Sequence, residues 1–87
     1  MSRVALLTKS DCPYCPAVRQ LLQRHHVPFD ELNIEQPQFK WLQVRMLEQG
    51  VYGLPAMMHD NQIVPIGNRT NKALEQLREW GYLEGET

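Results

Sequence analysis

The chain has 87 residues, of which 43% are hydrophobic and 22% charged, with a formal net charge of −1. That length supports one small core and one domain over 1–87, and the near-neutral charge removes any global pull toward nucleic acid or a membrane. No apolar run approaches the ~20 residues that cross a bilayer, and Val4-Ala5-Leu6-Leu7, followed at once by Lys9 and Asp11, is too short for a signal peptide; the expected home is the reducing cytoplasm.

Val4–Thr8 is an apolar run of strand length. A helix is expected over 15–26. Pro16 suits its first turn, Val18, Leu21, Leu22 and His25 repeat at i, i+3, i+4 and i+7, and Val27-Pro28 ends it. Residues 29–34 read as a second strand, although Phe29, Leu32 and Ile34 alternate only roughly with polar residues. Residues 37–48 read as a helix with Pro37 in its first turn, Phe39, Leu42 and Met46 on one stripe and Gly50 as its stop. Strands over 56–59 and 63–66 bracket Asp60-Asn61-Gln62, a hairpin signal, and Pro65 suits an edge strand or a bulge. A last helix is expected over 71–80, with Ala73, Leu77 and Trp80 in line and Gly81 as its stop. The order β-α-β-α-β-β-α predicts an α/β fold, a four-stranded mixed sheet flanked by three helices, with the strands of the β-α-β unit parallel. Trp41 and Trp80 read as core or helix-packing residues, and His25, His26 and His59 as surface or helix-end residues.

Both cysteines of the chain lie in Cys12-Pro13-Tyr14-Cys15. Two thiols at that spacing can close a small disulfide ring, which suits two-electron exchange: one thiolate attacks a disulfide and the second resolves the mixed disulfide. Cys12, at the mouth of the first helix, is the expected nucleophile, because unpaired N–H groups and the helix dipole favour a thiolate there. Cys15, in the first turn, is the expected resolving thiol, and Lys9 and Arg19 are candidate sources of positive potential. A purely structural bridge is the poorer reading, since stabilisation by loop closure grows with loop length. Zinc would require His25, His26 or His59 to complete four ligands, and His25 and His26 sit roughly 15 Å from Cys12 at ~1.5 Å rise per residue. No metal is expected.

With Lys9, Cys12-Pro13-Tyr14-Cys15, Leu54-Pro55 before the third strand and Gly67 after the fourth, the chain resembles a dithiol glutaredoxin of the thioredoxin-like fold over nearly its whole length. The resemblance implies a monomeric thiol–disulfide oxidoreductase that uses glutathione as co-substrate, with a reduction potential near about −200 to −230 mV. It implies a cis Pro55 facing the cysteines, with the backbone of Leu54 offered to the substrate as a short added strand. Lys9 matches the lysine that meets the glycine carboxylate of glutathione, and Tyr14 the aromatic that shapes the groove. Gly67, Asn68, Arg69 and Thr70 match the segment that binds the γ-glutamyl end.

The chain also departs from that pattern. Gly53-Leu54-Pro55 replaces Thr-Val-Pro, and Gly67-Asn68-Arg69-Thr70-Asn71 replaces Gly-Gly-x-Asp-Asp, so both aspartates are missing. Backbone N–H groups at Asn68 to Thr70 can still meet a carboxylate, but Thr70 or Asn71 would meet the ammonium without charge. A neutral hydrogen bond is roughly half as strong as a charge-assisted one, so glutathione is expected to bind more weakly than in a typical member, by ~1–2 kcal/mol. Leu54-Pro55 and Gly67-Asn68-Arg69 also bear a fainter similarity to NrdH-type redoxins, which are reduced by thioredoxin reductase and donate electrons to ribonucleotide reductase. A third reading, an iron–sulfur-binding or adaptor module, is disfavoured by the proline after Cys12.

Overall fold

A computed structural model of the chain describes residues 3–83. Its elements are β1 (Val4–Thr8), α1 (Cys15–Arg24), β2 (Phe29–Asn33), α2 (Lys40–Glu48), β3 (Ala56–His59), β4 (Gln62–Pro65) and α3 (Thr70–Glu79), with a 3-10 turn over Pro37–Phe39 leading into α2. The sheet order is β2-β1-β3-β4. Strand β1 pairs parallel with β2 and antiparallel with β3, and β4 pairs antiparallel with β3. This is the expected mixed α/β sheet, and Pro65 does lie on an edge strand, where a missing N–H breaks no ladder.

Strand β1 is buried along its whole length because both faces of the sheet are covered. Val4 and Leu6 join Met57 and Val64 beneath α1 and α3, where Val18, Leu22, Ala73 and Leu77 meet them. Ala5 and Leu7 join Ala56 and Ile63 beneath α2, where Leu42 and Met46 meet them. The register puts Leu6 opposite Glu31, so Glu31 occupies a place on the α1 face that a regular pattern would fill with an apolar side chain. Arg19 of α1 covers it, donating from Nε and Nη2 to the two Glu31 carboxylate oxygens at 2.7 and 2.8 Å. That pairing explains the imperfect alternation of β2.

All three helices stop by the same device. After α2, Val51 N–H reaches Met46 O at 2.8 Å and Gly50 N–H reaches Leu47 O at 3.1 Å; after α3, Tyr82 N–H reaches Leu77 O at 2.9 Å and Gly81 N–H reaches Arg78 O at 3.1 Å. These are paired C-terminal closures through a left-handed residue, with φ of +72° at Gly50 and +86° at Gly81. After α1, Val27 N–H bonds Leu22 O and His26 N–H bonds Gln23 O, but the left-handed residue is His26, at φ +57°. Helix α1 therefore ends at Arg24, two residues before the expected boundary, and its stop is local backbone geometry ahead of Pro28.

Four other expectations change. Residues 37–39 form a 3-10 turn, and α2 itself begins at Lys40. Strand β4 begins at Gln62 and ends at Pro65, so the hairpin turn is the two residues Asp60-Asn61, with Asp60 at φ +56°, a conformation Asp tolerates. Trp41 is 50% exposed, since the buried side of α2 is set by Leu42 and Met46. Trp80 does pack against the core. His59 is no plain surface residue: its ring stacks on Trp80 at 5.1 Å between centroids and meets Tyr82 edge-on at 5.3 Å. Among the described residues no helix is long and apolar enough to cross a membrane.

Candidate active site

Cys12 and Cys15 are joined as a disulfide with their Cα atoms 5.4 Å apart. Cys15 is the first residue of α1 and only 2% exposed, whereas Cys12 stands ahead of the helix and is half-buried. Tyr14, the residue before α1, makes no side-chain cap, and the first turn contains no acidic side chain. The unpaired N–H groups and positive end of the dipole therefore lie at the cysteines with no acidic side chain in the helix's own first turn. A helix start of this kind favours thiolate charge. Tyr14 is 47% exposed beside the ring.

The sheet gathers the other candidate residues at the end where the disulfide lies. Lys9, exposed, leaves β1 directly after Thr8. Leu7 pairs with Ala56, so Leu54 and Pro55 stand just beyond that pair, at the same end. The Leu54-Pro55 peptide is cis. Pro55 is buried, and its carbonyl accepts from the N–H groups of Ile66 and Gly67, each at 3.0 Å. Those two bonds tie the bend before α3 to the Pro55 loop. Gly67 turns with φ of +60°, a conformation that suits glycine, and Thr70 opens α3. Asn68, Arg69, Thr70, Asn71, Lys72 and Glu75 line an open depression of about 520 Å³ at that helix start, and the first turn again lacks an acidic residue.

One expected source of potential is removed. Arg19 is committed to Glu31, whose carboxyl it holds below the ordinary value of 4.5 through hydrogen bonds that outweigh the cost of partial burial. Its charge is largely cancelled before it can act on Cys12.

Sequence reasoning missed Glu35. Its Oε1 accepts from both the N–H and the hydroxyl of Ser10, at 3.1 and 2.7 Å. These bonds, with Lys9 nearby, hold the carboxyl below its ordinary range. The backbone beneath is fixed as well: Ile34 N–H reaches Thr8 O at 2.9 Å, and Glu35 N–H reaches the Asn33 side chain at 2.8 Å. Contacts 25 residues apart leave no periodic signal, although an acid just past a strand parallel to β1 is a place to look. Also unforeseen is an apolar depression of about 190 Å³ beside the same sheet end, lined by Ile34, Gln43, Met46, Leu47, Val51 and Tyr52. Among the described residues no group of three or more His, Cys, Asp or Glu side chains could hold a metal.

A glutaredoxin family model matches residues 4–64. The chain belongs to the glutaredoxin family. The match stops short of Gly67, where the family's paired glycines and aspartates are absent. Relatives within this glutaredoxin family include the glutaredoxin-like protein NrdH of Lactococcus lactis, 34% identical over 59 residues that cover 67% of this chain and 78% of that protein. Among solved structures, a thioredoxin-like protein superposes with a TM-score of 0.68 at 26% identity, covering 86% of this chain and 99% of the other. The glutaredoxin-like NrdH-redoxin of Escherichia coli superposes with a TM-score of 0.67 at 19% identity, covering 98% and 99%. The fold is thus thioredoxin-like, and the site is a redox-active disulfide of the glutaredoxin and NrdH kind.

Proposed function

We propose that this protein is a dithiol oxidoreductase that reduces protein disulfides, and the unequal exposure of the Cys12–Cys15 pair carries that reading. In the reduced protein the Cys12 thiolate attacks one sulfur of the substrate disulfide and expels the other as a thiolate. The Cys15 thiolate then attacks Sγ of Cys12, releasing the second substrate thiol and closing the disulfide. Two electrons pass to the substrate, and Cys15, which is nearly fully buried, serves only the intramolecular step. Leu54 supports substrate positioning: among the described residues its N–H and C=O make no backbone hydrogen bond, which leaves them for an extended substrate backbone. Glutathione mixed disulfides are substrates for the same Cys12 attack.

Two sources could re-reduce the protein, glutathione or a thioredoxin reductase. Three observations favour the reductase. The curated relatives at 34% and 32% identity are NrdH proteins, and one solved NrdH-redoxin is described by its thioredoxin-like activity profile. The start of α3, where an ammonium group would require an acidic partner, offers Arg69 and Lys72 and no acid in its first turn. Ribonucleotide reductase is then the proposed electron acceptor. The test supplies NADPH with the oxidised protein and either thioredoxin reductase alone or glutathione with glutathione reductase. NADPH consumption with thioredoxin reductase supports this reading. Consumption only with glutathione overturns it and returns Asn68, Arg69 and Thr70 to a glutathione-binding role.

A further inference from the structure

We propose that Glu35 is a specificity-determining residue that disfavours anionic thiols, glutathione included, as reductants of the Cys12–Cys15 disulfide. The inference rests on the reading of that disulfide as the redox centre. The carboxylate of Glu35 is exposed, yet it is held in place: Oε1 accepts from Ser10 N–H at 3.1 Å and from Ser10 Oγ at 2.7 Å. Ser10 lies two residues before Cys12 and next to Lys9. The negative charge is therefore fixed on the loop that presents the attacked sulfur, whereas most exposed carboxylates sweep a wide volume.

The charges around that loop decide its sign. Lys9 is the one cation on residues 9–12, and Glu35 lies close enough to feel it. Asp11, also exposed and the residue directly before Cys12 in the chain, adds a second carboxylate to this loop. Arg19, which could have reversed the balance, is bound to Glu31 on both of its oxygens. Two carboxylates thus stand against one free ammonium on this side of the disulfide. Glutathione has two carboxylates and one ammonium at neutral pH, so on the Lys9–Cys12 side it meets two carboxylates of its own sign, whereas Arg69 and Lys72 stand at the start of α3. A neutral or cationic thiol meets no such repulsion.

Reduction by a small thiol balances without any further reagent. A first thiolate attacks Sγ of Cys12 and Cys15 leaves as a thiolate; a second thiol attacks the mixed disulfide, giving the small disulfide and the reduced protein. The first step is the one those carboxylates oppose.

The charge can be removed without disturbing the geometry, because Glu35→Gln keeps an Oε1 acceptor for both Ser10 donors. The experiment measures the second-order rate constant for reduction of the oxidised full chain, by acid quench and mass spectrometry, with glutathione (net anionic), 2-mercaptoethanol (neutral) and cysteamine (cationic). For E35Q over wild type at low ionic strength the expected ratio is about three for glutathione, near one for 2-mercaptoethanol and below one for cysteamine, the size of a single exposed charge interaction. Glu35→Asp, which keeps the charge, is expected to preserve the wild-type order of the three thiols. The E35Q effect is expected to fade at about 1 M salt, where the screening length is ~3 Å. A common factor for all three thiols would mean that Glu35 only shapes the loop and would overturn the proposal, as would no change for any of them. Failure of the underlying reading is separate: it would appear in wild type alone, as a disulfide that none of the three thiols reduces.

Discussion

At the scale of single residues, the proposed division of work between the two cysteines rests on their different places at the helix start. Cys12 is reachable and lies before α1, and Cys15 is sealed inside its first turn. The Arg19–Glu31 pair acts by structure, holding α1 to β2 with both guanidinium nitrogens on one carboxylate. The folded-state pKa of Glu31 is lowered by Arg19, so the pair stabilises the fold above the ordinary carboxyl value and loses that contribution as pH falls through the lower folded value. Both side chains are about one-third exposed, which limits the effect to roughly 0.5–1 kcal/mol. Chemical denaturation of wild type and Glu31→Gln should differ by that amount at pH 7, and the two curves should converge below pH 4.5, the ordinary value from which the carboxyl is displaced. Stability curves that stay parallel into acid would show that the charge has no part in it.

At the scale of elements, the core follows from period and packing. Leu22 is fully buried between α1 and the sheet, and Leu22→Ala should cost about 2–5 kcal/mol in urea unfolding. Trp41, half exposed on the outer side of α2, should cost under about 1 kcal/mol on replacement by Ala, in keeping with surface substitutions. The stop of α1 offers a gain. His26 stands where α2 and α3 use Gly50 and Gly81, and a non-glycine residue in that conformation costs about 1 kcal/mol or more. His26→Gly should therefore raise stability by about 0.5–1 kcal/mol, the extra freedom of glycine in the unfolded chain offsetting part of the relief. A loss of stability would mean that the His26 ring makes a contact worth more than the strain.

The same elements show how far the sequence can be read. Helix stripes at Val18, Leu21 and Leu22, the apolar run of β1 and the glycines after α2 and α3 carry the element order, because period and local propensity generate them directly. The Cys-x-x-Cys pair was legible for the same reason: its chemistry is local. The ragged pattern of β2 was legible only as an irregularity, since its cause, Arg19 over Glu31, is a contact between side chains on different elements. Trp41 was misplaced because a bulky aromatic suggests a core, whereas the phase of Leu42 and Met46 decides which side of α2 is covered. Glu35 was invisible, because nothing in a sequence marks which strand end folds back onto which loop.

At the scale of the whole molecule, a sheet covered on both faces leaves one end to carry the chemistry. That end brings together the disulfide, the Leu54-Pro55 loop, the start of α3 and the pinned carboxylate of Glu35. How that end works turns on the order of attack, proposed as Cys12 first and Cys15 resolving. The direct measurement incubates reduced Cys15→Ser and Cys12→Ser proteins with a protein disulfide substrate and weighs the products by intact mass under non-reducing conditions. Cys15→Ser is predicted to accumulate a one-to-one mixed disulfide through Cys12, while Cys12→Ser forms none. A stable adduct through Cys15 in the Cys12→Ser protein, with none in Cys15→Ser, would contradict the account.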